Sequence, residues 1–66
     1  MGAYVLIRYF CVYTINRGLL VQSNIVDENY NNNFDTLEAA EQAIMENDGA
    51  GEYIILPITE KVWRLQ

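Results

Sequence analysis

The chain has 66 residues, of which 52% are hydrophobic, and its formal net charge is −5. A chain of this length forms one small domain that buries only about 60% of the surface exposed by the unfolded chain. The negative charge argues against direct binding to nucleic-acid phosphates, since such binding requires clustered Lys and Arg. We therefore expect a single domain over residues 1–66 whose surplus apolar surface contacts other proteins, in particular further copies in a homo-oligomer.

The cysteine content and the apolar runs bear on the compartment. Cys11 is the only cysteine, so it cannot form a disulfide within the chain, and no cationic segment leads into a signal-peptide core. These features predict a cytoplasmic protein. The first apolar run, residues 4–12, is shorter than the roughly 20 residues of a membrane-spanning helix and contains Arg8, so no membrane segment is predicted.

Residues 4–15 predict a long β-strand because they are rich in β-branched and aromatic side chains. Alternate residues of a strand point to opposite faces. One face then carries Val5, Ile7, Tyr9, Cys11 and Tyr13, and the other carries Tyr4, Leu6, Arg8, Phe10 and Val12. The first face has the smaller and more aliphatic side chains, so we expect it to pack against a helix and the second face to form an interface.

A β-hairpin is predicted next. Asn16, Arg17 and Gly18 interrupt the apolar pattern with residues that tolerate positive φ, as the turn of a hairpin requires. The second strand is expected over residues 19–26. Its polar residues 22–24 are typical of an edge strand that avoids pairing with other chains.

A surface loop and then a helix follow the hairpin. Residues 27–33 hold four asparagines and no periodic apolar pattern, which predicts the loop. Asp35 is the expected N-cap, with Glu38 at the capping-box spacing, and Thr36 is the alternative cap. Gly49 is expected to end the helix in the left-handed conformation. The apolar stripe of the helix contains Leu37, Ala40, Ala43 and Ile44.

The last strand is expected over residues 52–64. Pro57 lies within it and cannot donate a ladder hydrogen bond, so this strand belongs at an edge. The order of elements is β-β-α-β, and both later strands carry edge features. We therefore predict the α+β class, with a three-stranded antiparallel sheet of order 2-1-3 and the helix packed on one face. The alternative is a parallel last strand beside the second strand, reached by a right-handed crossover.

The C-terminal half carries a resemblance. Phe-Asp-Thr-Leu-Glu-Ala-Ala at residues 34–40, followed by Gly-Glu-Tyr-Ile-Ile-Leu-Pro-Ile at residues 51–58, resembles small uncharacterised β-β-α-β proteins of bacteriophages and their bacterial hosts. The resemblance implies an accessory or virion-associated protein, located in the host cytoplasm or in the virion. It transfers no catalytic residue to this chain.

Candidate chemistry is sparse. The chain has no histidine, and Cys11 lies mid-strand without a base beside it, so we expect neither an enzyme nor a cofactor. One pattern indicates a cation, because oxygen ligands fall at EF-hand-like positions. These are Asp27, Asn29, Asn31, Asp35 and Glu38. The sixth position of that loop is Asn32 instead of glycine, and an Asn-rich loop before a helix cap explains the same residues, so no metal site is assigned.

Two functional hypotheses follow from these patterns. The first is an interaction module that self-associates or docks through the helix-free face of its sheet, with Tyr4, Leu6, Arg8, Phe10 and Trp63 as contact residues. The alternative starts from charge, because eight of the nine acidic residues lie within residues 27–52, a segment without Lys or Arg. Such an anionic surface would mimic nucleic acid and block a host nucleic-acid-binding protein such as a defence nuclease.

Overall fold

A computed structural model describes residues 1–47 and 51–65 of the chain. It contains one helix and one sheet, as the sequence predicts. In chain order the elements are β1 (Gly2–Asn16), β2 (Leu19–Gln22), β3 (Asn33–Phe34), α1 (Leu37–Asn47) and β4 (Ile54–Leu65).

The long first strand is the centre of an antiparallel sheet. One edge of β1 pairs with β4 along nearly its whole length, from Gly2 opposite Leu65 to Tyr13 opposite Ile54. The other edge pairs with β3 at Phe10 and then with β2 farther along. The predicted order, with the first strand between the second and the last, is confirmed, and the parallel alternative is wrong. The short strand β3 is an addition to the sheet, and only its first residue, Asn33, belongs to the predicted loop.

The hairpin between β1 and β2 turns through two residues. Asn16 pairs with Leu19, and the two residues between them, Arg17 and Gly18, have φ of 53° and 77°. Positive φ at both central positions defines the turn type whose twist matches that of paired strands. The predicted hairpin is therefore confirmed, with glycine at the second of the two left-handed positions.

Strand β2 is shorter than predicted because Ser23 redirects the chain. The Ser23 hydroxyl accepts a hydrogen bond from the Ile25 amide at 3.2 Å, which gives the backbone a local partner in place of the sheet ladder. The Ser23 amide still donates to the Val12 carbonyl at 3.0 Å. The chain then leaves the sheet, and the side chain of Ile25 is buried in the core.

The helix begins at Leu37, one residue later than an Asp35 cap would place it. Thr36 is the N-cap, since its Oγ1 accepts a hydrogen bond from the Ala39 amide at 3.1 Å. The Asp35 prediction is therefore wrong and its alternative is right. At the other end the Asn47 side-chain amide donates to the Val26 carbonyl at 3.1 Å, which ties the helix to the loop after β2. The predicted cap at Gly49 lies outside the described residues.

The core lies where the helix crosses β1. Its buried members are Val12, Ile25, Phe34, Ala40 and Ala43, with Phe10, Ile44, Tyr53 and Ile55 packed against them. The helix therefore covers the face of Phe10 and Val12, and the predicted packing against Val5, Ile7 and Cys11 is wrong. Phe34 and Ile25 approach this face too, so it can be closed by a helix whose own stripe offers mostly alanine.

The molecule is elongated because this core occupies only one part of β1. Its principal extents are 48 × 28 × 17 Å, and its radius of gyration is 14.3 Å. A compact chain of this length would have a radius of gyration of about 11 Å. The excess comes from the paired ends of β1 and β4, which extend beyond the helix.

Candidate interaction surface

The extension is a two-stranded ribbon formed by residues 2–9 of β1 and residues 58–65 of β4. Strands β2 and β3 pair with β1 only from Phe10 onward, so in the described chain no third strand adjoins the ribbon. A two-stranded ribbon is at best marginally stable in water, because it lacks a third strand or a helix to cover its apolar side chains. This ribbon therefore carries apolar surface that its own chain does not cover.

An aromatic cluster stands on the face of the ribbon that continues the helix-covered face of the sheet. Tyr4 lies directly opposite Trp63, and their rings meet edge to face with centroids 5.1 Å apart and an interplanar angle of 68°. The Lys61 ammonium lies 5.7 Å from the centroid of the Tyr4 ring, within cation–π range. The Trp63 indole also lies over the backbone of Gly2. These contacts fix the cluster but leave Tyr4 64% and Trp63 56% exposed.

Four of the five predicted contact residues lie together on this face. Tyr4, Leu6 and Arg8 follow one another along β1, and Trp63 stands beside them on β4. All four are exposed, with Leu6 at 52%. Phe10 is the exception, because it is half-buried against the core under the helix. The predicted face is thus not helix-free as a whole, and only its ribbon end is open.

The opposite face of the ribbon is less exposed and holds one polar contact. The Tyr9 hydroxyl donates a hydrogen bond to Glu60 Oε1 at 2.5 Å. This bond to a carboxylate, together with lesser contributions from burial and from the nearby charge, raises the pKa of Tyr9 to about 12. Tyr9 therefore ionises only at strongly alkaline pH. The remaining side chains of this face are mostly aliphatic, namely Val5, Ile7, Ile58 and Val62.

Cys11 is buried at the base of the ribbon. Its Sγ contacts Asn33 Oδ1 at 3.4 Å across the β1–β3 pairing. Burial raises the pKa of the Cys11 thiol, which lowers the fraction of reactive thiolate at neutral pH. The residue therefore has the environment of a structural thiol.

A second apolar patch, which the sequence did not predict as a contact surface, lies at the other end of β1. It surrounds the hairpin and consists of Ile15, Leu19, Leu20 and Val21, all exposed. The patch holds no aromatic residue, whereas binding hot spots are enriched in Trp, Tyr and Arg.

The Asn-rich loop is organised by Asp27. Its Oδ1 accepts hydrogen bonds from the Asn29 and Asn31 amides at 2.8 and 2.9 Å. Asp27, the first residue of the calcium-like pattern, thus binds the backbone of its own loop. Tyr30 adopts a left-handed φ of 61° within this turn. Among the residues that the structure describes, no three acidic, cysteine or histidine side chains are grouped to hold a metal ion.

Cations and carboxylates are concentrated on different elements of the molecule. The ribbon carries Arg8, Lys61 and Arg64 against a single carboxylate, Glu60, whereas the loop and helix carry the acidic residues without a cation. The helix exposes Glu38, Glu41 and Glu46 to solvent. Within residues 1–47 and 51–65, no helix is both long and apolar enough to span a bilayer.

Comparison of the chain with protein-family models, with curated proteins and with solved structures gives no match.

Proposed function

We propose that this chain is a non-enzymatic interaction module and that the ribbon is its binding surface. The observation that carries the proposal is the exposure of Tyr4, Leu6 and Trp63 on a ribbon that has no third strand in the described chain. Burying one such side chain against a partner stabilises a complex by about 1.5–3 kcal/mol when burial is complete. The ribbon thus gains stability from a partner, and the partner gains aromatic anchors.

The composition of the surface supports binding to protein. Tyr, Trp and Arg are the residue types most enriched in binding hot spots. All three occur on one face of the ribbon, as Tyr4, Trp63 and Arg8. The Tyr4–Trp63 contact also orders both rings before binding, which reduces the side-chain entropy lost on association. No catalytic role is assigned, because the chain has no histidine and its one thiol is buried.

Light scattering of the native chain over a range of concentrations, compared with two double variants, tests the proposal. Tyr4→Ser with Leu6→Ser removes apolar area from the ribbon. Leu19→Ser with Leu20→Ser is the matched control at the hairpin, where Leu19 is 69% exposed. We expect the ribbon variant to lose self-association, or the capture of a protein partner, while the hairpin variant keeps it.

Two results would overturn this proposal. One is loss of association in the hairpin variant with the ribbon variant unaffected, which would place the interface at the other end of β1. The other is a native chain that remains a strict monomer and binds no protein through the ribbon.

The acidic-mimic hypothesis remains a second candidate, supported by the uncompensated carboxylates of the helix. It predicts salt-sensitive binding to a DNA- or RNA-handling protein that is lost when Glu38, Glu41 and Glu46 are changed to Lys. The same triple variant should leave ribbon association unchanged, because these residues lie on the helix and outside the ribbon. An accessory or virion-associated role in a bacteriophage or its host would suit either candidate.

A further inference from the structure

We infer that the occupant of the ribbon is a second copy of this chain, whose β1 pairs antiparallel with the free edge of β1 and makes one sheet through both copies. This inference rests on the proposed function and names its partner. It concerns the edge of β1 along residues 2–9, where β2 and β3 leave the strand without a neighbour in the described chain. An unpaired edge of this length selects another extended strand, because its amides and carbonyls need partners at strand spacing.

The even-numbered residues of β1 direct their backbone groups to this edge. Pro57 lies opposite Phe10 and has no N–H, so the pair cannot be hydrogen-bonded on the β4 side. The carbonyl of Val12, which has the same parity, accepts a hydrogen bond from the Ser23 amide on the β2 and β3 side. Alternation along the strand then places the N–H and C=O groups of Gly2, Tyr4, Leu6 and Arg8 at the free edge.

Two copies of this edge can pair in several antiparallel registers, and one of them pairs more of these N–H and C=O groups than the adjacent registers do. A twofold axis at Val5 pairs Gly2 with Arg8 of the second copy and Tyr4 with Leu6 of the second copy, for roughly eight hydrogen bonds between the copies. Moving the axis to Leu6 brings Gly2 opposite Phe10, where β3 already pairs. Moving it toward the N-terminus leaves Arg8 unpaired. The Val5 register is therefore the longest that the free edge accepts.

The side chains brought opposite each other in this register are compatible. On one face Val5 meets its own copy, with Ile7 opposite Ala3. On the other face the apolar side chain of Leu6 meets Tyr4 of the second copy and widens its aromatic cluster. Arg8 lies opposite Gly2 of the second copy, over which the Trp63 indole packs, so its guanidinium gains a cation–π partner. No two like charges are directly opposed.

The outer edge of β4 is also open in the described chain but is less suited to pairing. Pro57 occupies an outward-directed position there and supplies no donor, and Lys61 occupies another. Proline and lysine on an edge strand are the usual protection against pairing with another chain. The edge of β1 has no proline, and its one charge, Arg8, lies at the end of the free stretch.

Disulfide trapping in the full chain tests the register. In the Val5 register a Val5→Cys thiol meets its copy across a pair of Cα atoms about 4.5 Å apart, which suits a disulfide. Lys61→Cys is the matched control on the other ribbon strand, and its two copies would be about 16 Å apart, since they are separated by three strand spacings and offset by two residues along the strands. We expect Val5→Cys to give a covalent dimer under mild oxidation. Lys61→Cys and the native chain, whose only thiol is the buried Cys11, should remain unlinked.

A pair of proline variants provides the second measurement. Leu6 and Lys61 are opposite each other in the ribbon, and the N–H of each points away from the other strand. Leu6→Pro removes a donor from the β1 edge and Lys61→Pro removes one from the β4 edge, at a similar cost to the ribbon itself. We expect Leu6→Pro to abolish the dimer and Lys61→Pro to retain it, with the helical circular dichroism of both unchanged.

The outcomes separate this inference from the proposed function. Cross-linking through Lys61→Cys, or a dimer that survives Leu6→Pro, overturns pairing at the β1 edge. A native chain that is monomeric but binds another protein through Tyr4 and Leu6 overturns the second copy as occupant and leaves the ribbon as the binding surface. If the variant with Tyr4→Ser and Leu6→Ser associates as strongly as the native chain, both the proposed function and this inference are overturned.

Discussion

The indole of Trp63 lies directly over the backbone of Gly2, so that a Cβ atom added at Gly2 would overlap the ring. We predict that Gly2→Ala displaces the indole and weakens its edge-to-face contact with Tyr4, a contact worth about 1 kcal/mol. The emission of Trp63, the only tryptophan of the chain, should shift to the red, and association should weaken. Ala3→Ser, on the opposite face, is the control and should change neither quantity. Unchanged emission in Gly2→Ala would contradict the packing described.

The hydrogen bond from Tyr9 to Glu60 predicts a dependence of stability on alkaline pH. The pKa of Tyr9 is raised in the folded chain from its ordinary value of 10.0 to about 12. The stabilisation is therefore complete below about pH 10 and is lost as the pH rises through the folded value. Glu60→Gln, which removes the charge that holds the phenol neutral, should lower the pKa of Tyr9.

Ultraviolet titration of tyrosinate in the native chain, Tyr9→Phe and Glu60→Gln measures this effect. The native chain should show a late ionisation step near pH 12 that is absent from Tyr9→Phe. A late step that the native chain lacks, or that persists in Tyr9→Phe, would refute the bond.

Capping by Thr36 predicts that Thr36→Ala lowers the free energy of unfolding by about 1 kcal/mol, because the Ala39 amide loses its acceptor. Asp35→Ala is the neighbouring control and should cost less than about 0.5 kcal/mol. Denaturant unfolding followed by helical circular dichroism measures both variants. A larger loss of unfolding free energy in Asp35→Ala than in Thr36→Ala would show that Asp35 is the cap.

The packing of the helix predicts opposite responses from two adjacent alanines. Ala40 is fully buried against the sheet, whereas Ala39 is exposed. Ala40→Leu should lower the free energy of unfolding by about 1–3 kcal/mol, since a larger side chain overpacks the closest approach of helix and sheet. Ala39→Leu should change it by less than about 0.5 kcal/mol. Thermal unfolding of the two variants compares them directly, and equal costs would mean that the helix presents another face to β1.

Much of the architecture could be predicted because local signals were strong. β-branched and aromatic residues indicated the central strand, Arg17 and Gly18 indicated the hairpin turn, and Pro57 indicated an edge position for β4. Thr36 and Asp35 are both good caps, so only the hydrogen bond to Ala39 separates them. The extra strand β3 has two residues, which is too short for any periodic pattern.

The face that the helix covers could not be predicted from β1 alone, because both faces of that strand are apolar. It is decided by long-range packing, in which Phe34 and Ile25 join Val12 on one side. The ribbon follows from the length of β1, because in the β1–β2 register a second strand that continued to residue 26 would reach only Tyr9. Four of the five predicted contact residues still lie on one exposed face, and the fifth, Phe10, is half-buried because it packs against the core.

The emission of Trp63 on dilution tests most directly whether the ribbon is the binding surface. Trp63 is 56% exposed in the isolated chain and is the only tryptophan, so its emission reports the ribbon alone. For the self-associating chain, emission should be shifted to the blue at high concentration and move to the red on dilution, in step with the mass from light scattering. Emission that stays constant while the mass changes would show that the copies meet elsewhere, and would contradict the account.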